Sequence, residues 1–320
     1  MLGAIIGDIV GSRWEFNPTN DYNFEWLSKA NGFTDDTICT IAVADALLHD
    51  RSFGESIHDW CNRYPNPMGG YGGRFAVWVH SSNPKPYNSF GNGSAMRVSP
   101  VAHWYSNIDE VMDAAAATAL PSHNHEEGIK GAQSVALAIF KALQYNRQHY
   151  QEAPLHIDEI LQECVEFSAY DINMPKVAVL NRFDETCQGT VPVALKIISM
   201  ATDFEDAVRL AVSIGADADT LGAIVGSIAE AIWGIPMQHR NVIEAYLPNE
   251  MCFIMDEFYK ERPKSFKPLI DTTFYKKEYS EAAWDMLEDK VREELHNIID
   301  KEKDEKRQLM VERGKARENW

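Results

Sequence analysis

The chain has 320 residues, 45% hydrophobic and 24% charged, enough to bury a sizeable core as one large domain or two small ones. Against 30 lysines and arginines stand 48 aspartates and glutamates, a formal net charge of −18. Such a balance repels nucleic-acid backbones and anionic membranes, so non-specific binding to either is not expected, although a local pocket can still hold a small anion.

The N-terminal stretch MLGAIIGDIVGS is apolar, lacks a basic leader and carries Asp8 in its middle, so it reads as a first core helix and not as a signal peptide. After Phe33-Thr34-Asp35-Asp36, the residues Ile38, Ile41, Ala42, Ala44, Leu47 and Leu48 line one helical face. Glycine-, proline- and asparagine-rich loops follow at 62–74 and 81–94. Loops of that length in a compact domain usually carry function. A helix is expected at 108–120, and another from Ile129 to Leu143, where Ala132, Val135, Ala136 and Ile139 keep the period. Further helices are expected at 157–168, 191–202, 204–213 and 220–233, the last stopped by Gly234 and Pro236. Alternating strand patterns are scarce. The fold class is therefore all-α, one compact multi-helix domain over residues 1–270.

Residues 271–320 differ in kind. Trp284, Leu287, Val291, Leu295 and Ile298 keep a 3–4 spacing among dense mixed charges, and the pattern dissolves after Asp300. This reads either as a charged helical C-terminal extension docked on the body or on a partner, with a frayed end, or as a solvated terminal helix. No stretch reaches the roughly 18 apolar residues of a membrane span. The five cysteines are scattered without a CxxC pair, which argues against a disulfide framework or structural zinc and fits a reducing, cytoplasmic setting.

Two segments rhyme: GAIIGDIVGS from Gly3 and GAIVGSIAEA from Gly222. Glycines four apart on an apolar helix let another backbone approach closely, so these are expected to be two central, tightly packed helices. Two groups of hard oxygen ligands precede apolar helices: Thr34, Asp35, Asp36 and Thr37, then Asp217, Asp219 and Thr220. Carboxylates and hydroxyls suit Mg²⁺, Mn²⁺ or Ca²⁺, whereas zinc or copper prefers histidine and cysteine. Each group alone also fits helix capping, since Thr34 can cap and acids in a first turn complement the helix dipole. Gly91-Asn92-Gly93-Ser94-Ala95-Met96-Arg97 reads either as a backbone cradle for phosphate or as a tight turn. In Ser122-His123-Asn124-His125-Glu126-Glu127 no third soft ligand stands near the two histidines. Glu15, amid aromatic residues after the first helix, is either an acid–base group with a burial-raised pKa or a partner of Arg13.

Taken in order, GDIVGSRWEF, FTDDT, GNGSAMR, SHNHEEGIKGAQ, CQGTVPVAL and GADADTLGAIVGSIAEAIWGIP resemble the ADP-ribosylglycohydrolase family, including the dinitrogenase reductase-activating glycohydrolases. The resemblance spans residues 3 to about 236. It implies an all-α domain with two divalent cations, Mg²⁺ or Mn²⁺, at the base of an ADP-ribose cleft. Thr34, Asp35, Asp36, Asp217, Asp219 and Thr220 match the family's metal ligands, with Asp219 the candidate to bridge both ions. Gly91, Asn92, Gly93, Ser94, Ala95 and Met96 match the loop holding the diphosphate, and His123 a histidine lining the cleft. Glu15 matches the mobile acid near the scissile bond, and Asp36 is the carboxylate expected to orient or deprotonate the attacking water. The implied reaction releases ADP-ribose from a modified protein side chain, most familiarly arginine. Serine-linked ADP-ribose, O-acetyl-ADP-ribose, modified nucleic acid, and a silent ADP-ribose-binding homologue are the alternatives. Ala216 stands before Asp217 where the family commonly has glycine; its methyl is tolerable if φ there is negative.

Overall fold

The computed structural model describes residues 1–148, 152–262, 308, 311–315, 317 and 320. The described residues form fourteen α-helices joined by loops and short 3₁₀ turns, with no strand among them. In the first half these are α1 (Leu2–Gly11), α2 (Asp35–Leu48), α3 (Phe53–Arg63), α4 (Gly73–Val79), α5 (Gly93–Met96), α6 (Ser99–Trp104) and α7 (Ile108–Ala119). The second half holds α8 (Glu126–Gln148), α9 (Ile157–Ser168), α10 (Cys187–Met200), α11 (Phe204–Ser213), α12 (Ala218–Trp233), α13 (Met237–Ile243) and α14 (Asn249–Glu261). The helix expected at 191–202 begins earlier, at Cys187, because Thr186 caps it by accepting from Gly189 N at 3.1 Å. Gly189 and Pro192 hide that first turn from a reading by period alone.

Every residue of α1 is buried, and so is α12 from Ala218 to Ile232. Helices without a polar face belong in the centre, and these two form the core pair about which the others pack. Their glycines meet. A Cβ on Gly7 would fall 1.9 Å from the carbonyl oxygen of Gly222, and one on Gly3 would fall 2.1 Å from that of Gly226. Only hydrogen fits at such a contact, so the two backbones touch, and Asp8 comes level with the start of α12. Glu230, near the other end of α12, accepts from Gly3 N at 2.8 Å and from the Tyr259 hydroxyl at 2.5 Å, which pins the pair's register.

No helix among the described residues is long and apolar enough to cross a membrane. Trp284, Leu287, Val291, Leu295 and Ile298 lie outside the described residues. Part of the end read as frayed lies within them and packs on the body. Arg313 is only 6% exposed and donates from one guanidinium nitrogen to the carbonyls of Ile198, Ser199 and Ala201, the unpaired C-terminal end of α10. Arg317 bonds Asp206 at 3.0 Å, and the Trp320 indole donates to Met174 O at 3.1 Å. Replacing Arg313 with alanine should therefore lower stability by about 2 kcal/mol, the scale of charged hydrogen bonds. A thermal melt reads this directly, and an unchanged midpoint would mean that the terminal segment does not dock.

Candidate metal centre

The packing of α1 on α12 and of α2 beside them brings three helix segments to one point. Asp8, from the middle of α1, accepts from Thr34 N at 3.0 Å, Thr34 Oγ1 at 2.8 Å, Thr37 N at 3.1 Å and the Thr37 hydroxyl. It therefore satisfies the open end of α2 from outside the helix. Thr34 is the N-cap of α2, its Oγ1 accepting from Asp36 N at 3.2 Å, so the capping role is real and coexists with its place in the cluster. Asp217 stands at the N-cap of α12 but makes no capping bond; its Oδ2 accepts instead from the Asn92 amide at 2.7 Å. Thr220 donates to Asp36 Oδ2 at 3.3 Å. The two helix starts face each other.

Carboxylate oxygens of Asp8, Asp36 and Asp219 lie within 4.8 Å of one another, and so do those of Glu15, Asp217 and Asp219. Asp219 belongs to both groups. Asp36 Oδ1, Asp219 Oδ1 and Glu15 Oε2 are buried and have no hydrogen-bond partner. Buried oxygens in water-poor surroundings need a donor or a cation, and an all-oxygen set of this kind fits a hard divalent ion. Burial, reinforced by neighbouring acids, pushes the carboxyls of Asp35, Asp36 and Asp219 well above the usual range. Burial raises Asp8 to about 6 despite its four hydrogen bonds. Burial and the charge of Asp217 raise Glu15 to about 7.

Asp8 is the site residue that sequence reasoning missed; it served there only as a charge interrupting an apolar segment. The available signal was a lone carboxylate inside a helix with no polar face, which has to find partners elsewhere. Asp35 opens α2 half-buried and joins neither group of three, though the charges of Asp8 and Glu15 bear on it. Arg13 does not pair with Glu15: it reaches Glu25 at 3.1 Å and Ser28 at 2.9 Å. Instead the loop before α4 closes on Glu15, with Gly69 against its carboxylate at φ +77°, a backbone conformation that disfavours any other residue. Ala216 is absent from the positive-φ residues, and the left-handed turn ahead of Asp217 falls on Gly215 at φ +70°.

The segment expected to cradle a diphosphate is partly helical, since Gly93–Met96 form α5. Asn92 turns its amide to Asp217 and to Thr190 Oγ1, and Ser94 donates to Gly128 O at 2.7 Å, fully buried. Ala95 and Met96 are buried as well. Neither the Asn92 amide nor the Ser94 hydroxyl therefore faces a free surface, and because Gly91 N donates to Ser89 Oγ at 3.1 Å, what the segment can offer an anion is the backbone N–H of Gly93. The His123 ring packs on those two glycines, where a Cβ on Gly93 would come 3.0 Å from its Nε2. Burial and the Arg97 charge hold the His123 imidazole neutral, and its Nδ1 pairs with Ser122 Oγ at 2.7 Å. Two cavities are lined by residues near these in sequence, and only the smaller by a carboxylate of the cluster, Asp217. One of about 470 Å³ is walled by Tyr170, Arg182, Asp184, Thr190 and Asp217. The other, about 690 Å³, lies across the 64–68 loop, between Phe33, Tyr64 and Met68.

Residues 1–264 match the family model described as ADP-ribosylglycohydrolase. The chain is 28% identical to the ADP-ribosylhydrolase ARH3 of Mus musculus, an alignment covering 73% of this chain and 83% of that protein. It is 23% identical to the ADP-ribosylarginine hydrolase Tri1 of Pseudomonas putida, covering 73% and 70%. A solved structure titled as an ADP-ribosylglycohydrolase-related protein complex superposes with a TM-score of 0.59 at 23% identity, covering 82% of this chain and 96% of that one. The helical architecture and the extent of the family match lead to one conclusion: the chain belongs to the ADP-ribosylglycohydrolase family.

Proposed function

We propose that this protein cleaves the glycosidic bond at the anomeric carbon of the ribose distal to adenine, releasing ADP-ribose from a modified protein side chain, with arginine the leading linkage. The observation that carries the reading is the pair of carboxylate groups sharing Asp219, with unpartnered oxygens on Asp36, Asp219 and Glu15. The Pseudomonas putida relative, an ADP-ribosylarginine hydrolase, supports the arginine linkage.

Asp8, Asp36 and Asp219 would hold one divalent cation, Mg²⁺ or Mn²⁺, and Glu15, Asp217 and Asp219 a second, with Thr34 and Thr220 as neutral oxygen ligands beside them. When bound, such ions supply Lewis acidity and a water acidic enough to ionise near neutral pH. Asp36 Oδ1, buried and without a partner, would be the acceptor available to orient the attacking water or take its proton. Glu15, the one carboxylate of its group that is not fully buried, would close the site or assist the departing group. The Asn92 amide fixes the Asp217 carboxylate, and the neutral His123 ring braces the Gly91–Gly93 backbone. Gly69 packs against Glu15, whose Oε2 is buried.

The raised carboxyl pKa values give the reading a signature in stability. Asp8 at about 6 and Glu15 at about 7 lie above the ordinary 3.8 and 4.5, so without a cation the folded state holds protons that the unfolded state releases. That contribution is fully present below pH 4 and is lost as pH rises through 6 to 7. Cations that replace those protons should raise the melting temperature far more at pH 8 than at pH 5. An equal shift at both values would show that the ions bind elsewhere. Activity is tested by following ADP-ribose release from an arginine-ADP-ribosylated protein with Mn²⁺ or Mg²⁺ and with chelator. Metal-dependent release is the expected result, and release unaffected by chelator would reject the metal site.

A further inference from the structure

Phe16 follows Glu15 directly and leaves 71% of its surface in water. It does not stand alone: its ring stacks on that of Phe183, itself 45% exposed, with centroids 6.1 Å apart and planes 30° from parallel. Single exposed apolar residues are ordinary. This pair is distinguished by its place, since two loops distant in sequence deliver the rings to one spot at the rim of the carboxylate site. The loop carrying Phe183 is tied there, because the carbonyl of Glu185 accepts from Asn92 N at 2.7 Å while the Asn92 amide holds Asp217. The charge of Glu185 accordingly acts on both Glu15 and Asp217. The rim next to Glu15 is thus two stacked phenyl faces with exposed Glu185 two residues beyond the second ring.

Aromatic faces attract planar cations, guanidinium above all, and a neighbouring carboxylate adds to the pull. A chain of net charge −18 reinforces it. A serine hydroxyl as leaving group offers neither a plane nor a charge. We propose that Phe16, Phe183 and Glu185 form the subsite for the leaving side chain and select guanidinium-linked ADP-ribose, the ring pair stacking the guanidinium and Glu185 facing its charge. This rests on the glycohydrolase reading above and adds to it the residues that choose the linkage.

The test uses Phe16→Ala, Phe183→Ala, Glu185→Gln and the conservative Phe16→Trp in the full chain. Hydrolysis kinetics on an arginine-ADP-ribosylated peptide are paired with calorimetric titration of free ADP-ribose, which carries no leaving side chain. The two alanine variants should lose about 5- to 30-fold in kcat/KM on the peptide, the scale of a desolvating cation–π contact. Their affinity for free ADP-ribose should stay within about twofold, and Phe16→Trp should recover most of the peptide kcat/KM that Phe16→Ala loses. Glu185→Gln should raise KM on the peptide and weaken its dependence on salt. A parallel loss of ADP-ribose affinity in the alanine variants would overturn the proposal and assign the rings to ADP-ribose itself. So would a parent enzyme that binds ADP-ribose and leaves the arginine linkage intact. A parent that neither binds ADP-ribose nor cleaves any linkage would instead remove the glycohydrolase reading, and this inference would fall with it.

Discussion

Asp219→Ala is expected to abolish hydrolysis, by about a thousandfold or more, while the protein stays folded and, without cations, gains stability. Asp219 is the one residue common to both carboxylate groups, so its loss weakens two ion sites together. The several kcal/mol that bound cations contribute to such a reaction correspond to a rate factor of that order. The stability gain follows from the same crowding. Burial and the charges of Asp217, Asp36 and Glu15 hold the Asp219 carboxyl well above its ordinary range, and removing it relieves that penalty on its neighbours. Kinetics and a melt with chelator check both halves. Loss of activity with a lower melting temperature would point to collapse of the fold, and full activity would remove the metal model.

Gly7→Ala is expected to cost at least about 3 kcal/mol and most of the activity, from a single methyl group. The added carbon would sit 1.9 Å from the carbonyl oxygen of Gly222, a distance no rotamer can relieve, so α1 and α12 must part. Separation of that pair also draws Asp8 from Asp219, which links a packing defect to the chemistry. Gly73→Ala is the control: nothing stands within 4 Å of the added carbon, and alanine in a helix is neutral or stabilising by about 1 kcal/mol. Denaturant melts of both variants decide the matter, and equal stability of the two would contradict the close helix contact.

What the sequence made legible was whatever depends on local pattern. The helix after Thr34, the helix over 220–233 and the glycine spacing of both central helices follow from period and composition, and the oxygen-rich residues ahead of two helices stand out without tertiary knowledge. What escaped depends on which side chain meets which across the core. Asp8 joins the cluster only because α1 lies against α12 and delivers its carboxylate to the N-terminus of α2. Asn92 and Ser94 belong to a segment whose pattern fits a phosphate cradle equally well, yet their side chains turn inward to Asp217 and Gly128. Arg313 sits where the apolar period has already dissolved, and its partners are backbone carbonyls of α10, which leave no trace in residue types. The Phe16–Phe183 stack joins two loops through a contact that no spacing along the chain encodes.

The most direct test of the account is a calorimetric titration of Mn²⁺ into the metal-free protein, repeated with Asp219→Ala and in buffers of different ionisation enthalpy. The account predicts two ions per chain, binding that releases protons because burial and neighbouring acids hold the Asp36 and Asp219 carboxyls well above the usual range, and loss of both ions in the variant. Binding of the same stoichiometry in Asp219→Ala, or no binding to the parent protein, would contradict it.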